Sequence, residues 1–168
     1  MGSKALRIAV IYHSESGTTA KVAETIASGA RIGDQVEVRT MGIQEVDKAF
    51  VEEASAVILG TPTYAGTISW QMKQWLDTGR IKLADKLGAV FATARFVGGG
   101  AEVAELALIG HMLVKGMVVY SSGTTRGQPF THYGPVTIHA DDVDQQERAR
   151  IFGQRIAEKA LQLFRPVE

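Results

Sequence analysis

The sequence predicts an α/β fold, a doubly wound five-stranded parallel sheet with strand order 2-1-3-4-5 and helices on both faces. Three observations support this prediction. Short apolar runs rich in Val and Ile, bounded by Gly, Ser, Thr or Pro, are typical of strands buried on both faces. Between these runs the apolar residues recur every three or four positions, which indicates helices. Strand and helix alternate five times, and this alternation favours parallel strands joined by right-handed crossovers.

The five predicted strands are separated by segments long enough to hold a helix. The first strand covers residues 6–12. The second covers residues 36–39, where apolar and charged side chains alternate as they do on a sheet edge. The last three strands are predicted at 54–60, 87–94 and 116–120.

Helical periodicity marks the segments between and after these strands. Three stripes have apolar side chains three or four residues apart: Val22, Ile26 and Ala30; Ile68, Met72 and Trp75; and Ala149, Phe152, Ile156, Ala160 and Leu163. A shorter helix is predicted at 46–53. Residues 101–114 are apolar on nearly every side, which predicts a helix that is buried or lies at a subunit contact. Residues 121–140 form a long irregular segment, and such segments in compact domains usually serve a function.

Length and composition limit the classes of function. A chain of 168 residues, with 45% hydrophobic and 21% charged residues, is expected to form one globular domain, which we place at residues 4–168. The 18 basic residues balance the 18 acidic ones, so no net charge attracts nucleic acid. No segment approaches the roughly 20 apolar residues that span a bilayer. The first residues lack the apolar stretch of a signal peptide, and we therefore expect a cytoplasmic protein.

The absence of cysteine leaves any redox chemistry to a bound cofactor, because it removes both thiol catalysis and thiolate ligands. The four histidines have no ligand-like spacing, and no metal site is predicted: His13, His111, His132 and His139. His132 lies in the long segment, from which a side chain could reach a ligand bound elsewhere in the fold.

The segment after the first strand carries the clearest chemical signal. It contains four hydroxyl groups and one glycine, and it leads directly into the first helix: Ser14, Glu15, Ser16, Gly17, Thr18 and Thr19. Hydroxyls and the free N–H groups of a helix N-terminus can surround a dianionic phosphate, and the helix dipole favours its charge. A capped helix start is the simpler alternative, but a cap needs fewer hydroxyls.

Residues 10–23 resemble the FMN-phosphate signature of flavodoxins at every constrained position: Tyr12, Ser14, Gly17, Thr19 and Ala23. The segment has neither the Gly-Lys-Thr of a P-loop nor the Gly-x-Gly-x-x-Gly of a Rossmann dinucleotide site. The resemblance therefore implies a flavodoxin-like fold with FMN as its cofactor, and it argues against ATP and tightly bound NAD.

A second loop, residues 60–66, resembles the corresponding loop of the WrbA-type NAD(P)H:quinone oxidoreductases. The Gln-Met-Lys-x-Trp-Leu-Asp pattern that ends at Asp77 strengthens this resemblance. It implies that one edge of the flavin is lined by Thr61, Pro62, Thr63, Tyr64 and Gly66. Tyr64 is also expected to act in catalysis, beside the electron acceptor. A turn alone would account for Pro62 and Gly66.

A third loop follows the fourth strand, and in the WrbA-type pattern its backbone N–H groups reach the pyrimidine side of the flavin. The residues that the resemblance assigns to the cofactor are Thr93, Ala94, Arg95, Phe96, Gly98 and Gly99. Arg95 and Phe96 depart from the small polar residues of that pattern. A guanidinium at this edge would stabilise negative charge on the reduced flavin, which gives Arg95 an expected catalytic role. A solvent-facing arginine is the alternative.

Taken over nearly the whole chain, the resemblance implies an FMN-dependent oxidoreductase. NAD(P)H would serve as co-substrate and reduce the flavin, and a quinone or similar small molecule would then accept two electrons. A flavodoxin-type one-electron carrier is the alternative, although such carriers are generally strongly acidic and this chain has no net charge. A flavin-free interaction domain is a third class, because fold alone does not fix function.

A homodimer or a homotetramer is the assembly that the resemblance implies. Two departures bear on it and on quinone specificity. The segment between Val38 and Ala54 is short where WrbA-type enzymes usually carry an insertion that helps tetramer packing. Lys115 stands where those enzymes tend to have a histidine that closes over the flavin.

Overall fold

The computed structural model describes residues 5–164, so Lys4 and residues 165–168 of the expected domain lie outside the described residues. Strands and helices alternate along this part of the chain, as the sequence predicts. The elements are β1 (Leu6–Tyr12), α1 (Thr18–Ala30), a 3-10 turn (Gly33–Gln35), β2 (Val36–Gly42), α2 (Lys48–Glu53), β3 (Ala56–Tyr64), β4 (Thr67–Ile68), α3 (Trp70–Thr78), β5 (Leu87–Thr93), α4 (Ala101–Val114), β6 (Val118–Val119), β7 (Val136–Thr137) and α5 (Val143–Phe164).

The main sheet has the order β2-β1-β3-β5-β6, and its neighbouring strands are parallel. Since β5 and β6 are the fourth and fifth predicted strands, this arrangement confirms the doubly wound α/β fold and the predicted order. The carboxyl ends of β1, β3 and β5 therefore lie side by side, which is where a ligand binds in sheets of this kind.

The prediction of a continuous fifth strand over residues 116–120 is wrong. Only two residues of β6 pair with β5, opposite Leu87 and Gly88, and β7 then pairs with the same strand opposite Ala92 and Thr93. The long segment thus interrupts the fifth strand instead of following it. Gly134 lies where the chain returns to the sheet. A side chain would not fit there, because a Cβ at this position would lie 2.0 Å from the Val90 carbonyl oxygen.

An antiparallel hairpin between β3 and β4 was also not predicted. Ile68 was assigned to a helical stripe, but it lies in β4, which forms a hairpin with the end of β3. The helix begins after it, because the Ser69 side chain accepts a hydrogen bond from the Met72 N–H and caps α3. Pairing with β3 therefore overrides the helical spacing at this position.

Two apolar cores cover the two faces of the sheet. Along β1, Ile8 and Val10 point into the core that contains α1 and α5, whereas Ala9 and Ile11 point into the core that contains α2, α3 and α4. All four side chains are fully buried. Burial on both faces explains why the strand reads as a continuous apolar run.

Helix α4 buries one side and exposes apolar side chains on the other. Ala104, Leu108 and Met112 face the core, while the exposed side carries Val103, Leu106, Leu113 and Val114. Neither this helix nor any other among residues 5–164 is long and apolar enough to cross a membrane.

Candidate cofactor-binding site

The three loops that the sequence assigns to the cofactor meet at the carboxyl edge of the sheet, and direct contacts join them. The N–H of His13 in the first loop donates to the Gly60 carbonyl at the start of the second, over 3.2 Å. The second and third loops approach each other closely at Gly66 and Gly100. A Cβ on Gly100 would lie 2.5 Å from the Gly66 carbonyl oxygen, so this approach requires glycine. The sheet topology and these contacts thus form one site from three distant segments.

The first loop presents a helix N-terminus that no side chain within residues 5–164 caps. Gly17 occupies the cap position with a φ of 92°, and because glycine has no side chain, the first N–H groups of α1 are left without a capping hydrogen bond from those residues. The Ser14 hydroxyl instead accepts from the Gly17 N–H over 3.2 Å, and the Ser16 and Thr18 hydroxyls lie 3.4 Å apart. Since Glu15, Ser16 and Gly17 are exposed, the loop leaves donors and the positive end of the helix dipole open to an anion.

Thr19 makes a different contribution from its neighbours in this loop. Its hydroxyl is buried and lies 2.9 Å from the hydroxyl of Thr93 in the third loop. The two side chains therefore bond each other across the base of the site. The Thr19 side chain thus joins the first and third loops.

The second loop is a tight hairpin between β3 and β4. Its central residues, Ala65 and Gly66, both have positive φ values, 48° and 84°, as a type I′ turn requires. The fully buried Thr61 hydroxyl donates to the Pro62 carbonyl over 2.9 Å and accepts from the Ser69 N–H over 3.1 Å. The Thr61 side chain therefore links the two ends of the hairpin.

Two polar side chains beside the hairpin find no hydrogen-bond partner in the part of the chain that the structure describes. They are Thr63, through its hydroxyl, and His13, through both ring nitrogens. The His13 ring is only 5% exposed and meets the Tyr64 ring edge to face, with 6.4 Å between ring centroids. An unsatisfied buried polar group costs about 1–3 kcal/mol, so these atoms are candidates for a polar partner that the described residues do not supply.

His13 is a site residue that the sequence interpretation missed, because it was grouped with three scattered histidines. Burial lowers the pKa of His13, and the nearby Glu15 carboxylate opposes that change. Its position next to Ser14, at the end of β1, was the available signal. The other histidines are only partly buried or exposed: His111, His132 and His139.

Tyr64 links the second loop to the first. Its phenolic O–H donates to the Glu15 Oε2 atom over 2.8 Å. Burial raises the pKa of the Tyr64 phenol, as do the hydrogen bond to Glu15 and its negative charge, whereas the charge of Arg95 lowers it. Tyr64 is therefore a neutral donor, and Glu15 is the acceptor.

The third loop is the most exposed of the three. Arg95 and Gly98 are exposed, Phe96 is 65% exposed and Val97 is 89% exposed. Ala94 is engaged with the sheet, because its N–H donates to the Thr137 carbonyl over 3.1 Å. The Arg95 side chain therefore faces solvent beside the site.

The donors at this edge fit a ligand with a phosphate and a polar-edged planar ring. The uncapped α1 terminus suits the phosphate, and the unpaired groups beside the hairpin suit the ring edge. In the part of the chain that the structure describes, no group of three His, Asp or Glu residues is placed to hold a metal ion.

Comparison with known proteins identifies relatives of this arrangement. The family model for the flavodoxin domain matches residues 9–97, which contain the first two loops and most of the third. A flavodoxin of Clostridium saccharobutylicum is 44% identical over 160 residues, covering 95% of this chain and all of that protein. An NAD(P)H dehydrogenase (quinone) of Archaeoglobus fulgidus is 30% identical, over 94% of this chain and 98% of that protein.

A solved structure shows the same architecture. The flavodoxin, WrbA-like protein from Agrobacterium tumefaciens superposes with a TM-score of 0.78 at 26% identity, over 94% of this chain and 99% of that one. Sequence and structure therefore agree from the first strand to the last helix, and the chain belongs to the flavodoxin family.

Proposed function

We propose that this chain binds one FMN at the carboxyl edge of its sheet and passes electrons through it. The uncapped N-terminus of α1, with Gly17 at the cap position, carries this proposal because it presents free N–H groups at the carboxyl edge of the sheet. Membership of the flavodoxin family supports it.

The residues of the three loops would have distinct roles toward FMN. The phosphate would lie against residues 14–19, through the backbone N–H groups and the Ser14, Ser16 and Thr18 hydroxyls. Thr63, Tyr64 and the 65–66 turn would border the ring, and residues 93–99 would flank its other side. FMN, when bound, supplies reversible electron and hydride chemistry, while the protein determines its position and polarity.

For the reaction, we propose transfer of a hydride from NAD(P)H to the flavin and of two electrons to a quinone or similar small acceptor. Relatives named NAD(P)H dehydrogenase (quinone) support this, at 30% and 32% identity over 94% of the chain. The zero net charge supports it too, since a carrier steered to large basic partners would be acidic. Tyr64 and Arg95, at the exposed side of the site, would contact the acceptor and the flavin edge.

One-electron carriage between larger proteins is the second candidate function. It is favoured by the 44% identity to a protein named flavodoxin whose whole length matches this chain. The two candidates share the cofactor and differ in the partner, so kinetics separate them more directly than structure does.

Steady-state kinetics with the FMN-loaded chain test the reaction. We expect oxidation of NADH or NADPH that becomes at least several-fold faster when a benzoquinone is added. Turnover of neither nucleotide, together with rapid reduction of a one-electron acceptor such as cytochrome c by the chemically reduced protein, would favour the carrier.

Assembly and location remain predictions. The exposed apolar side of α4, with Val103, Leu106, Leu113 and Val114, supports self-association into a homodimer or homotetramer, because such patches commonly mark interfaces. Light scattering of the purified chain measures the assembly. We propose the cytoplasm as its location, which fractionation of expressing cells tests.

A further inference from the structure

Glu15 is the one charged residue in the loop that would receive the phosphate. Residues 14–19 otherwise consist of serine, threonine and glycine, so the formal charge of the loop is negative. The Glu15 side chain is exposed, and the residue lies two positions before Gly17, the N-cap of α1. An anion at this helix N-terminus therefore meets a carboxylate as well as the helix dipole.

Among the described residues Glu15 forms no salt bridge, and Arg95, whose charge acts on the neighbouring Tyr64 phenol, is exposed to solvent. Within residues 5–164, no Lys, Arg or His nitrogen lies within 4.0 Å of the Glu15 carboxylate. Lys21, the first basic residue of α1, is paired with Asp141. The partner of Glu15 is instead a neutral phenol, the O–H of Tyr64, at 2.8 Å.

The Glu15–Tyr64 hydrogen bond also has a positional effect. The two residues are 49 positions apart and belong to the first and second loops, so the bond fixes one loop against the other. Tyr64 stands at the end of β3, with its ring against His13 and its hydroxyl held by Glu15. Glu15 thereby orients an aromatic ring that borders the ligand site.

We propose that Glu15 determines ligand specificity at this site in two ways, by opposing the ligand phosphate and by positioning Tyr64. This inference rests on the proposed FMN site. The carboxylate makes FMN binding weaker than a neutral loop would allow, and it reduces the preference for FMN over riboflavin, which has the same ring and no phosphate. The Tyr64 hydrogen bond contributes equally to both flavins, because it acts at the ring.

Substitutions at Glu15 separate the two effects. Glu15→Gln removes the charge and keeps a carbonyl oxygen that accepts from Tyr64, so we expect FMN affinity to rise by about tenfold and riboflavin affinity to stay within about twofold. Glu15→Ala removes the acceptor as well, and we expect riboflavin to bind several-fold more weakly. Tyr64→Phe should reproduce the riboflavin loss without the gain for FMN.

A matched control removes one acid far from the site. Asp34 lies just before β2, at the opposite edge of the sheet from the three loops. The substitution Asp34→Asn should therefore leave the affinities for FMN and for riboflavin unchanged. The assay is titration of flavin-free protein with FMN and with riboflavin, followed by flavin fluorescence at low salt. Raising the salt should reduce the advantage of Glu15→Gln, because screening weakens repulsion between exposed charges.

The outcomes distinguish this inference from the function on which it rests. A Glu15→Gln variant with wild-type affinity for FMN, or with the same change for FMN and riboflavin, overturns the role of Glu15 while leaving FMN binding intact. A wild-type chain that binds neither flavin overturns the proposed function, and this inference with it.

Discussion

The buried carboxyl of Glu105 provides a quantitative test of the packing around the interrupted fifth strand. Glu105 is 1% exposed in the middle of α4, and its Oε1 atom has no hydrogen-bond partner within residues 5–164. The Glu105 carboxyl packs against Gly134, at which residues 121–140 come back to the sheet. A Cβ on Gly134 would lie 2.7 Å from the Glu105 Oε1 atom and 2.0 Å from the Val90 carbonyl oxygen. Burial, with a smaller effect of Glu102, raises the pKa of Glu105 from 4.5 to about 8.

This pKa makes stability depend on pH with a definite sign. Between pH 4.5 and pH 8 the unfolded chain has an ionised Glu105 and the folded chain a protonated one, so the free energy of unfolding falls as pH rises. Above pH 8 both states are ionised and the loss levels off. At about 1.4 kcal/mol per pH unit, the upper limit of the loss is about 5 kcal/mol.

Glu105→Gln removes the titration and keeps the shape of the side chain. We expect the variant to differ little from wild type near pH 4.5, to become more stable than wild type as pH rises, and to gain a few kcal/mol by pH 8. Urea unfolding at several pH values measures the difference, with Glu45→Gln as the exposed control. A difference in the free energy of unfolding between Glu105→Gln and wild type that stays constant from pH 5 to pH 8 would refute the assignment of a protonated, buried Glu105.

Two further predictions concern close contacts. Gly153→Ala should destabilise the fold by about 1–3 kcal/mol, because the new Cβ would lie 1.9 Å from the Ile26 carbonyl oxygen in α1; Gly110→Ala, in a helix with open space around it, should instead be neutral or stabilising. Thr19→Val should cost about 1 kcal/mol, because it leaves the buried Thr93 hydroxyl without its partner, whereas changing both threonines to valine should restore most of that loss. Thermal unfolding of single and double variants measures both, and additive losses at the two threonines would argue against their bond.

The regular part of the fold was predictable because each strand carries its own signal. The predicted bounds of the first strand, residues 6–12, match β1, since burial on both faces gives an uninterrupted apolar run. The short strands were not predictable. Both β4 and β7 have two residues, and they are defined by pairing with distant chain rather than by any local pattern.

The path of residues 121–140 was also not predictable, because it depends on contacts with a distant helix. Arg155 of α5 is buried, and its guanidinium donates to the carbonyl oxygens of Arg126, Gly127, Gln128 and Pro129. These contacts give residues 121–135 a fixed path without secondary structure. An arginine within an amphipathic helix gives no sign of such partners in the sequence.

At the site, sequence located the loops but not the direction of each side chain. The hydroxyl pattern of residues 14–19 predicts an anion-binding loop, while the hydrogen bond between Thr19 and Thr93 depends on how the first and third loops approach each other. The contact between Glu15 and Tyr64 likewise joins loops that are distant in sequence. The roles of Tyr64 and Arg95 in catalysis stay predictions.

Titration of the flavin-free chain with FMN and with FAD tests the central claim most directly. In the proposed site the loop at Gly17 would receive the terminal phosphate of FMN, which a diphosphate bridge to adenosine would displace, so we expect one FMN per chain and much weaker binding of FAD. Flavin fluorescence measures both constants on the same sample. No affinity for FMN, or equal affinity for FMN and FAD, would contradict the account.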